Sequence, residues 1–325
     1  MRVVYVIIFA LIAASMNVCA ASQATVQAKP KIVIVESYSR DFAWDASYRN
    51  VLIDRLGNVC DLSFFEMNTK KLPASMHKEM GQKAMNFIRE THPDLVVLGD
   101  DTALKFLGNT LEDLHVKTVY LGINNNPRAY FPRGNPVYVT GVLERPLVRR
   151  SVFYVRKIIP GVNKILILFD TDVTSNIILE DEFSGKKTGS IGNINYEIKL
   201  LGHASEWGSE IVNAKQNGYG AIIIGLFQTI KDKTGHSVDP TVLLSWSSTA
   251  STVPTFAFWD FSVGEHGAIG GFVLSGAEQG RNAANIIELL LKNPDLLPGE
   301  IEPIFQSDGV LLFSKKQLSK WHIAC

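Results

Sequence analysis

The stretch from Pro136 to Pro146, in the middle of the chain, constrains the fold more than any other. It contains a short β-branched run, Val137–Val142, and closes with Glu144, Arg145 and a proline. Because a proline disfavours helical conformation in the residue before it, the run should leave its sheet in an extended conformation. A separate series of apolar strand-like runs alternating with helical patterns lies on each side. We therefore predict two α/β lobes joined here, with a ligand site between them.

The length and charge of the chain fit this division. A chain of 325 residues is long for one core and suits two lobes of ordinary domain size. Lysine and arginine together number 32, as do aspartate and glutamate. Since there is no basic surplus, we expect no nucleic-acid partner.

The N-terminus has the pattern of a secretory signal peptide. Arg2 precedes an apolar run, Val3–Ala14, which is too short to span a bilayer. We predict a signal peptide at residues 1–20, a tether at residues 21–30 and a periplasmic location. Cleavage is favoured over lipoprotein anchoring at Cys19, because the residue before that cysteine is not Gly, Ala or Ser.

Two cysteines, Cys60 and Cys325, remain after the predicted cleavage. An oxidising compartment permits a bridge between them, and two unpaired thiols fit the sequence equally well. No CxxC or Cys/His spacing suggests zinc, and no phosphate-binding loop or dinucleotide fingerprint is present. We expect neither a metal nor a cofactor.

The first lobe is predicted at residues 31–143, where buried-strand patterns alternate with amphipathic helical patterns. Its strands are predicted at Lys31–Glu36, Leu62–Phe65, Asp94–Gly99 and Lys117–Gly122, and its helices at Asp45–Leu56, at Ser75–Thr91 and from Asp100.

Polar and aromatic residues follow the first and third of these strands. Ser37, Tyr38 and Trp44 come after the first strand, where ligands of parallel sheets bind. The two aromatic residues could equally cover the core where strand meets helix. Asp100 and Asp101 follow the third strand and begin a helix, and one acid suffices as an N-cap. The other is expected to face the cleft, where it suits a ligand ammonium or sugar hydroxyls.

The second lobe is predicted at residues 144–260 and repeats the same alternation. Its helices are predicted at Leu147–Ile159, Ser205–Asn217 and Val242–Ala250, its strands at Lys164–Phe169, Ile194–Leu201, Ala221–Gly225 and Thr255–Phe258, and a Gly- and Ser-rich loop at Gly185–Asn193.

Further candidate ligand-binding residues lie on loops that follow strands. Asn124 belongs to an Asn-rich turn, which is also common without any function. Asp170, Thr171 and Thr174 stand where a helix begins, a position that favours an anionic group or simple capping. Trp259 with Asp260 could offer a stacking face and an acceptor.

Motifs for catalysis are missing from the sequence. No nucleophile elbow is present, and we expect no catalytic residues and no enzymatic activity. The acids at Asp100 and Asp101 could in principle oppose Asp170 and Asp172 as a glycosidase acid–base pair. Nothing in the sequence places one pair against the other.

Taken in order, several short motifs resemble those of type I periplasmic solute-binding proteins of ABC importers. The branch that the chain resembles includes aromatic-amino-acid binders and sensor-kinase-linked binding domains. The matching motifs are Val33–Tyr38 with Trp44, Asp94–Asp101 with Ala103 and Leu104, Val139–Glu144, Phe258–Phe261, Gly267–Gly271, and Gly280-Arg281 with Ala283 and Ala284.

The resemblance implies two Rossmann-like lobes joined by a multi-strand hinge. Part of residues 261–293 would return to the first lobe, and part of residues 294–325 would join the second. By position, the residues expected on the cleft loops are Tyr38, Asp101, Asn124, Thr171 and Trp259.

Three functions follow as hypotheses. The leading one is a monomeric periplasmic protein that delivers a small solute to the permease of an ABC importer. The second is a ligand-sensing module that partners a sensor histidine kinase, and the third is a secreted hydrolase. An acid in one lobe and a helix start in the other would suit an amino-acid-like zwitterion.

Overall fold

The computed structural model describes residues 28–305 and 309–324. The predicted signal peptide with Cys19, most of the predicted tether, and Cys325 with its possible bridge lie outside these ranges. Cys60 is buried. In the described ranges, no helix is long and apolar enough to cross a membrane.

The first part of the chain builds a parallel sheet flanked by helices. Residues Ile32 to Val35 are fully buried, as expected for a strand covered on both faces. The elements are β1 (Lys31–Glu36), α1 (Ala43–Leu56), β2 (Asp61–Glu66), α2 (Ala74–Thr91), β3 (Leu95–Gly99), α3 (Asp100–Asp113), β4 (Thr118–Ile123), a 3₁₀ helix (Pro127–Tyr130) and β5 (Val139–Leu143).

The next part builds a second sheet in the same way. Its central strand is again a run of fully buried apolar residues, Ile165 to Phe169. The elements are α4 (Val148–Ile158), β6 (Lys164–Asp170), α5 (Val173–Phe183), β7 (Thr188–Ile191), β8 (Ile194–Leu201), α6 (Ala204–Asn213), β9 (Ala221–Ile224), α7 (Pro240–Ala250) and β10 (Thr255–Ala257).

The C-terminal part contributes to both lobes. Its elements are two 3₁₀ helices (Asp260–Ser262 and Pro298–Glu300), β11 (Gly270–Val273), α8 (Gly276–Lys292), β12 (Ile304–Phe305), β13 (Val310–Phe313) and α9 (Lys315–Lys320).

Strand order separates the two lobes. The first sheet has the order β12-β5-β4-β3-β1-β2 and the second β10-β9-β6-β8-β7, while β11 pairs with β13. The chain passes from the first sheet to the second after β5, returns after β10, and leaves the first sheet again after β12. Helix α8 belongs to the first lobe, where it lies against α1 so closely that a Cβ at Gly280 would be 2.8 Å from the Tyr48 carbonyl oxygen.

The predicted α/β class with two lobes is confirmed. Two local expectations were wrong. Gly185–Asn193 is not simply a loop, because Thr188–Ile191 forms the edge strand β7, paired antiparallel with β8. Neither Asp100 nor Asp101 caps its helix: the N-cap residue of α3 is Gly99, without a side-chain hydrogen bond.

Candidate functional site

A small cavity lies between the two lobes, where the carboxyl ends of both parallel sheets face each other. Each of β1 to β5 contributes one polar or charged side chain within four residues of its end, as ligand sites in such sheets require. The cavity volume is about 20 Å³, which is room for roughly one water molecule. The lining side chains are Tyr38, Phe42, Trp44, Lys70, Asp100, Asn124, Glu144, Thr174, Leu226, Gln228, Trp259 and Phe261.

Five aromatic rings form the walls and meet across the interface between the lobes. Phe261, in the segment after β10, lies with its ring centroid 6.1 Å from that of Phe42 and 6.5 Å from that of Trp44. Trp259 stacks on Phe261 at 6.2 Å. The Tyr38 ring contacts Phe42 edge-on at 4.9 Å. Separation of the lobes would break the ring contacts that Phe261 makes with Phe42 and Trp44 and expose an aromatic surface on both sides.

Asp100 is the acid of the first lobe that reaches the cavity. Its backbone is left-handed, with a φ of 68°, a conformation that Asp and Asn tolerate better than most residues. The side chain is buried, and its Oδ2 atom has no hydrogen-bond partner. Burial raises the pKa of Asp100 well above its usual range, and the nearby Asp45 and Glu144 carboxylates add to the effect.

Glu144 stands at the hinge, directly after β5. Its Oε1 atom accepts a hydrogen bond of 2.6 Å from Trp259 Nε1. The bond therefore links the segment after β5 to the segment after β10, the two places where the chain passes between the lobes. Burial raises the pKa of Glu144 to about 8, against the opposing effect of the hydrogen bond from Trp259. Arg145 faces away and donates to the carbonyl oxygens of Ile123 and Asn125 at 2.8 and 3.1 Å.

One ion pair crosses from lobe to lobe beside the cavity. Lys70, in the loop after β2, donates to Asp172, the N-cap residue of α5. The Lys70 Nζ atom also lies 4.9 Å from the centroid of the Tyr38 ring. Although burial opposes the charged form, the Asp172 carboxylate raises the pKa of Lys70. When the lobes are together, Lys70 is therefore charged and paired with Asp172.

The structure brings six of the eleven predicted site residues together at the cavity. The six are Tyr38, Trp44, Asp100, Asn124, Thr174 and Trp259.

Two other predicted residues hold the first lobe together and are absent from the cavity lining. Ser37 Oγ donates to the Gly99 carbonyl at 2.5 Å and accepts from the Ala103 N–H at 2.9 Å. Asp101 accepts hydrogen bonds from the backbone N–H groups of Asn124 and Asn125, at 2.8 and 3.1 Å, and from the Tyr130 hydroxyl at 2.8 Å. Asp101 thus holds the turn that presents Asn124 to the cavity.

The remaining predicted residues belong to the second lobe and the hinge. Asp170 accepts from the Ser175 hydroxyl at 2.6 Å and from the Thr229 N–H at 3.1 Å. Thr171 is exposed on the surface of the second lobe. Burial raises the pKa of Asp260, which accepts hydrogen bonds from Ser275, from the backbone N–H of Gly276 at the start of α8 and from that of Phe261.

Sequence reasoning missed half of the lining. The missed residues are Phe42, Lys70, Glu144, Leu226, Gln228 and Phe261. Three of them carried a usable signal, because Lys70, Glu144 and Gln228 are polar residues two to five positions past a predicted strand. Phe42 and Phe261 carried none beyond their apolar character.

In the part of the chain that the structure describes, no group of three or more His, Cys, Asp or Glu side chains could hold a metal ion. Asp100 and Glu144, the acids that line the cavity, have no ion pair with a described cation.

Comparison with solved structures identifies the fold. An ABC domain from Streptococcus pneumoniae in complex with L-Trp is 18% identical, with a TM-score of 0.63 over 90% of this chain and 95% of that chain. CD0873 from Clostridium difficile, a substrate-binding protein with adhesive properties, is 14% identical, with a TM-score of 0.63 over 91% and 96%. An ABC sugar transporter subunit from Rhodobacter sphaeroides is 12% identical, with a TM-score of 0.56 over 88% and 98%.

No protein-family model and no curated protein sequence matches the chain. The fold is that of type I periplasmic binding proteins.

Proposed function

We propose that this protein captures a small solute between its two lobes in the periplasm and delivers it to the permease of an ABC importer. The observation that supports this proposal is the cavity at the carboxyl ends of both sheets, where buried polar atoms lack partners. These atoms are Asp100 Oδ2, Asn124 Oδ1 and Trp44 Nε1. Unpaired buried polar atoms are costly, and a bound solute would satisfy them.

The size of the cavity implies that the lobes move. At about 20 Å³ the closed cavity cannot hold a solute of the size of an amino acid. A solute must therefore enter with the lobes apart and then be enclosed by a closure that leaves them slightly farther apart than here. Hinge closure of this kind is the usual motion of periplasmic binding proteins.

The hydrogen bonds and the ion pair of the carboxylates favour binding without catalysis. Asp101 and Asp170 accept hydrogen bonds within their own lobes, and Asp172 pairs with Lys70. Of the acids considered for a hydrolase, Asp100 alone keeps an unpartnered oxygen at the cavity. An amino acid or a related small metabolite is the solute class that the sequence favoured.

A thermal-shift screen over amino acids, amines, sugars and small acids tests the proposal. A solute present at 100 times its dissociation constant should add about 2.7 kcal/mol to the unfolding free energy. Small-angle scattering should then show a smaller radius of gyration with the solute than without it. An unchanged radius at saturation would contradict capture between the lobes.

Delivery to a permease needs a separate experiment. Deletion of the gene should abolish uptake of the identified solute, and the protein should bind the permease in detergent. Normal uptake together with binding to a histidine kinase would favour the sensor function instead.

A further inference from the structure

The charges around the cavity point to the class of solute. We propose that the solute is an organic amine whose positive charge is not balanced by a carboxylate of its own. This inference rests on the proposed capture of a solute between the lobes, and it replaces the zwitterion expected from the sequence.

Acids outnumber free cations at the cavity. Asp100 and Glu144 line it, and Asp45, fully buried directly behind the lining, accepts the Tyr38 N–H at 3.2 Å. Among the described residues, Lys70 is the one cation in the lining, and Asp172 already pairs with it. A cationic solute would favour the ionised form of these acids, whereas a solute carboxylate would oppose it.

The unpartnered atoms call for hydrogen-bond donors on the solute. Asp100 Oδ2 and Asn124 Oδ1 are both acceptors, and both belong to side chains of the lining. A primary ammonium offers three donors and no acceptor, which matches these two oxygens. Trp44 Nε1 is an unpartnered donor at the same cavity, so a solute with one additional acceptor would also satisfy it.

The aromatic walls also suit a cation. Tyr38, Trp44 and Trp259 present rings to the cavity, and such rings attract an ammonium group within about 6 Å of their centroids. Lys70 already makes this contact with Tyr38 at 4.9 Å. The same rings would pack against an aromatic part of the solute, as Trp259 stacks on Phe261 in the closed form.

The position expected to hold a solute carboxylate already carries acids of the protein. The helix start after β6 was expected to receive it, but Asp172 is the N-cap residue there and brings its own negative charge. Asp170 uses the Ser175 hydroxyl, at 2.6 Å. Thr174 is the single residue of that turn in the lining. A solute carboxylate would have to displace Asp172 from Lys70 to find a cation.

Calorimetric titration of matched compounds tests the proposal. Each set shares one carbon skeleton and consists of an amine, its α-amino acid and its alcohol: tryptamine, L-tryptophan and tryptophol; phenethylamine, L-phenylalanine and 2-phenylethanol; and isopentylamine, L-leucine and isopentanol. In the set that binds most tightly, we expect the amine to bind about 10- to 100-fold more tightly than the other two members.

Two variants locate the charge that is responsible. Asp100→Asn keeps a residue that tolerates the left-handed backbone and removes the negative charge, so the amine should lose about 10- to 100-fold in affinity while the alcohol changes little. Asp113→Asn, at the far end of the same helix and on the surface, is the matched control and should leave both affinities unchanged.

The possible outcomes separate this inference from the proposed function. Tighter binding of the amino acid or the alcohol would overturn the inference, as would retention of amine affinity in Asp100→Asn. Closure on a neutral or anionic solute from the thermal-shift screen, with no amine bound, would overturn the inference alone. If no compound of the screen or the matched sets binds, the proposed function fails as well.

Discussion

Replacement of Glu144 by Gln should remove much of the pH dependence of lobe closure in the solute-free protein. The amide has the shape of the protonated acid and keeps an oxygen for the 2.6 Å hydrogen bond from Trp259 Nε1. It cannot ionise, so it isolates the contribution of one proton. At every pH the variant therefore carries an uncharged side chain at position 144, as the closed wild type does at low pH.

The size of the effect follows from the pKa of this side chain. In the closed form, burial raises the pKa of Glu144 from its ordinary value of 4.5 to about 8. At about 1.4 kcal/mol for each tenfold change in proton affinity, this difference corresponds to at most about 5 kcal/mol. The closed form binds the additional proton between these two pH values. It is thus most favoured below pH 4.5 and loses this advantage as the pH rises to about 8.

Neighbouring charges set what remains in the variant. Burial also raises the pKa values of Asp45 and Asp100, and the Lys70 charge lowers both. The Arg145 charge lowers the pKa of Glu144 itself. The free energy that favours closure of the Glu144→Gln protein should therefore still fall as the pH rises. Its slope should be smaller than in the wild type, because closure takes up as much as one proton fewer. That proton corresponds to about 1.4 kcal/mol per pH unit.

Small-angle scattering of the solute-free protein from pH 5 to pH 9 measures the effect. The wild-type radius of gyration should rise with pH, and that of Glu144→Gln should rise less. The two radii should be closest at pH 5 and should diverge as the pH rises. Glu79→Gln, which removes an exposed acid on α2, is the control and should follow the wild type. Identical curves for the wild type and Glu144→Gln would refute the argument.

Three further outcomes are expected. Lys70→Met should weaken the closed, solute-free form by about 1–2 kcal/mol, seen as a larger radius at pH 7, because it removes the pair with Asp172 across the lobes; Lys71→Met, which removes an exposed pair, should not. Asp101→Ala should lower the unfolding free energy by about 2–4 kcal/mol in urea denaturation, since three hydrogen bonds to the carboxylate are lost; an unchanged midpoint would contradict this role. Mass spectrometry of exported protein should show a chain that begins at Ala21, and a diacylated Cys19 would contradict cleavage after Ala20.

Much of the fold could be predicted because its strands are buried on both faces. Runs such as Ile32 to Val35 and Ile165 to Phe169 are entirely apolar and buried, because a central strand of a parallel sheet is covered on both faces. The edge strand β7 was missed because it is not buried in this way. Its residues are mostly exposed, and Gly189 and Ser190 are typical of loops, so pairing with β8 rather than composition makes it a strand.

The site was predicted in part, because position along the chain fixes a loop but not the direction of each side chain. Asp100 and Asp101 are neighbours in sequence, and the sequence treats them alike. The left-handed backbone at Asp100 places its side chain at the cavity, whereas Asp101 turns to the N–H groups of Asn124 and Asn125. Such a choice depends on the fold of the next loop, which local patterns do not contain.

The acids at the cavity also suggest why closure should depend on the solute. The pair between Lys70 and Asp172 and the ring contacts of Phe261 favour the closed form even when it is empty. Burial of Asp100 and Glu144 opposes it, because each acid must either take up a proton or lose its hydration. A bound amine would offset that cost, because its positive charge favours the ionised acids. A solute shifts the equilibrium only by its difference in affinity for the two forms, and on this proposal the acids supply that difference.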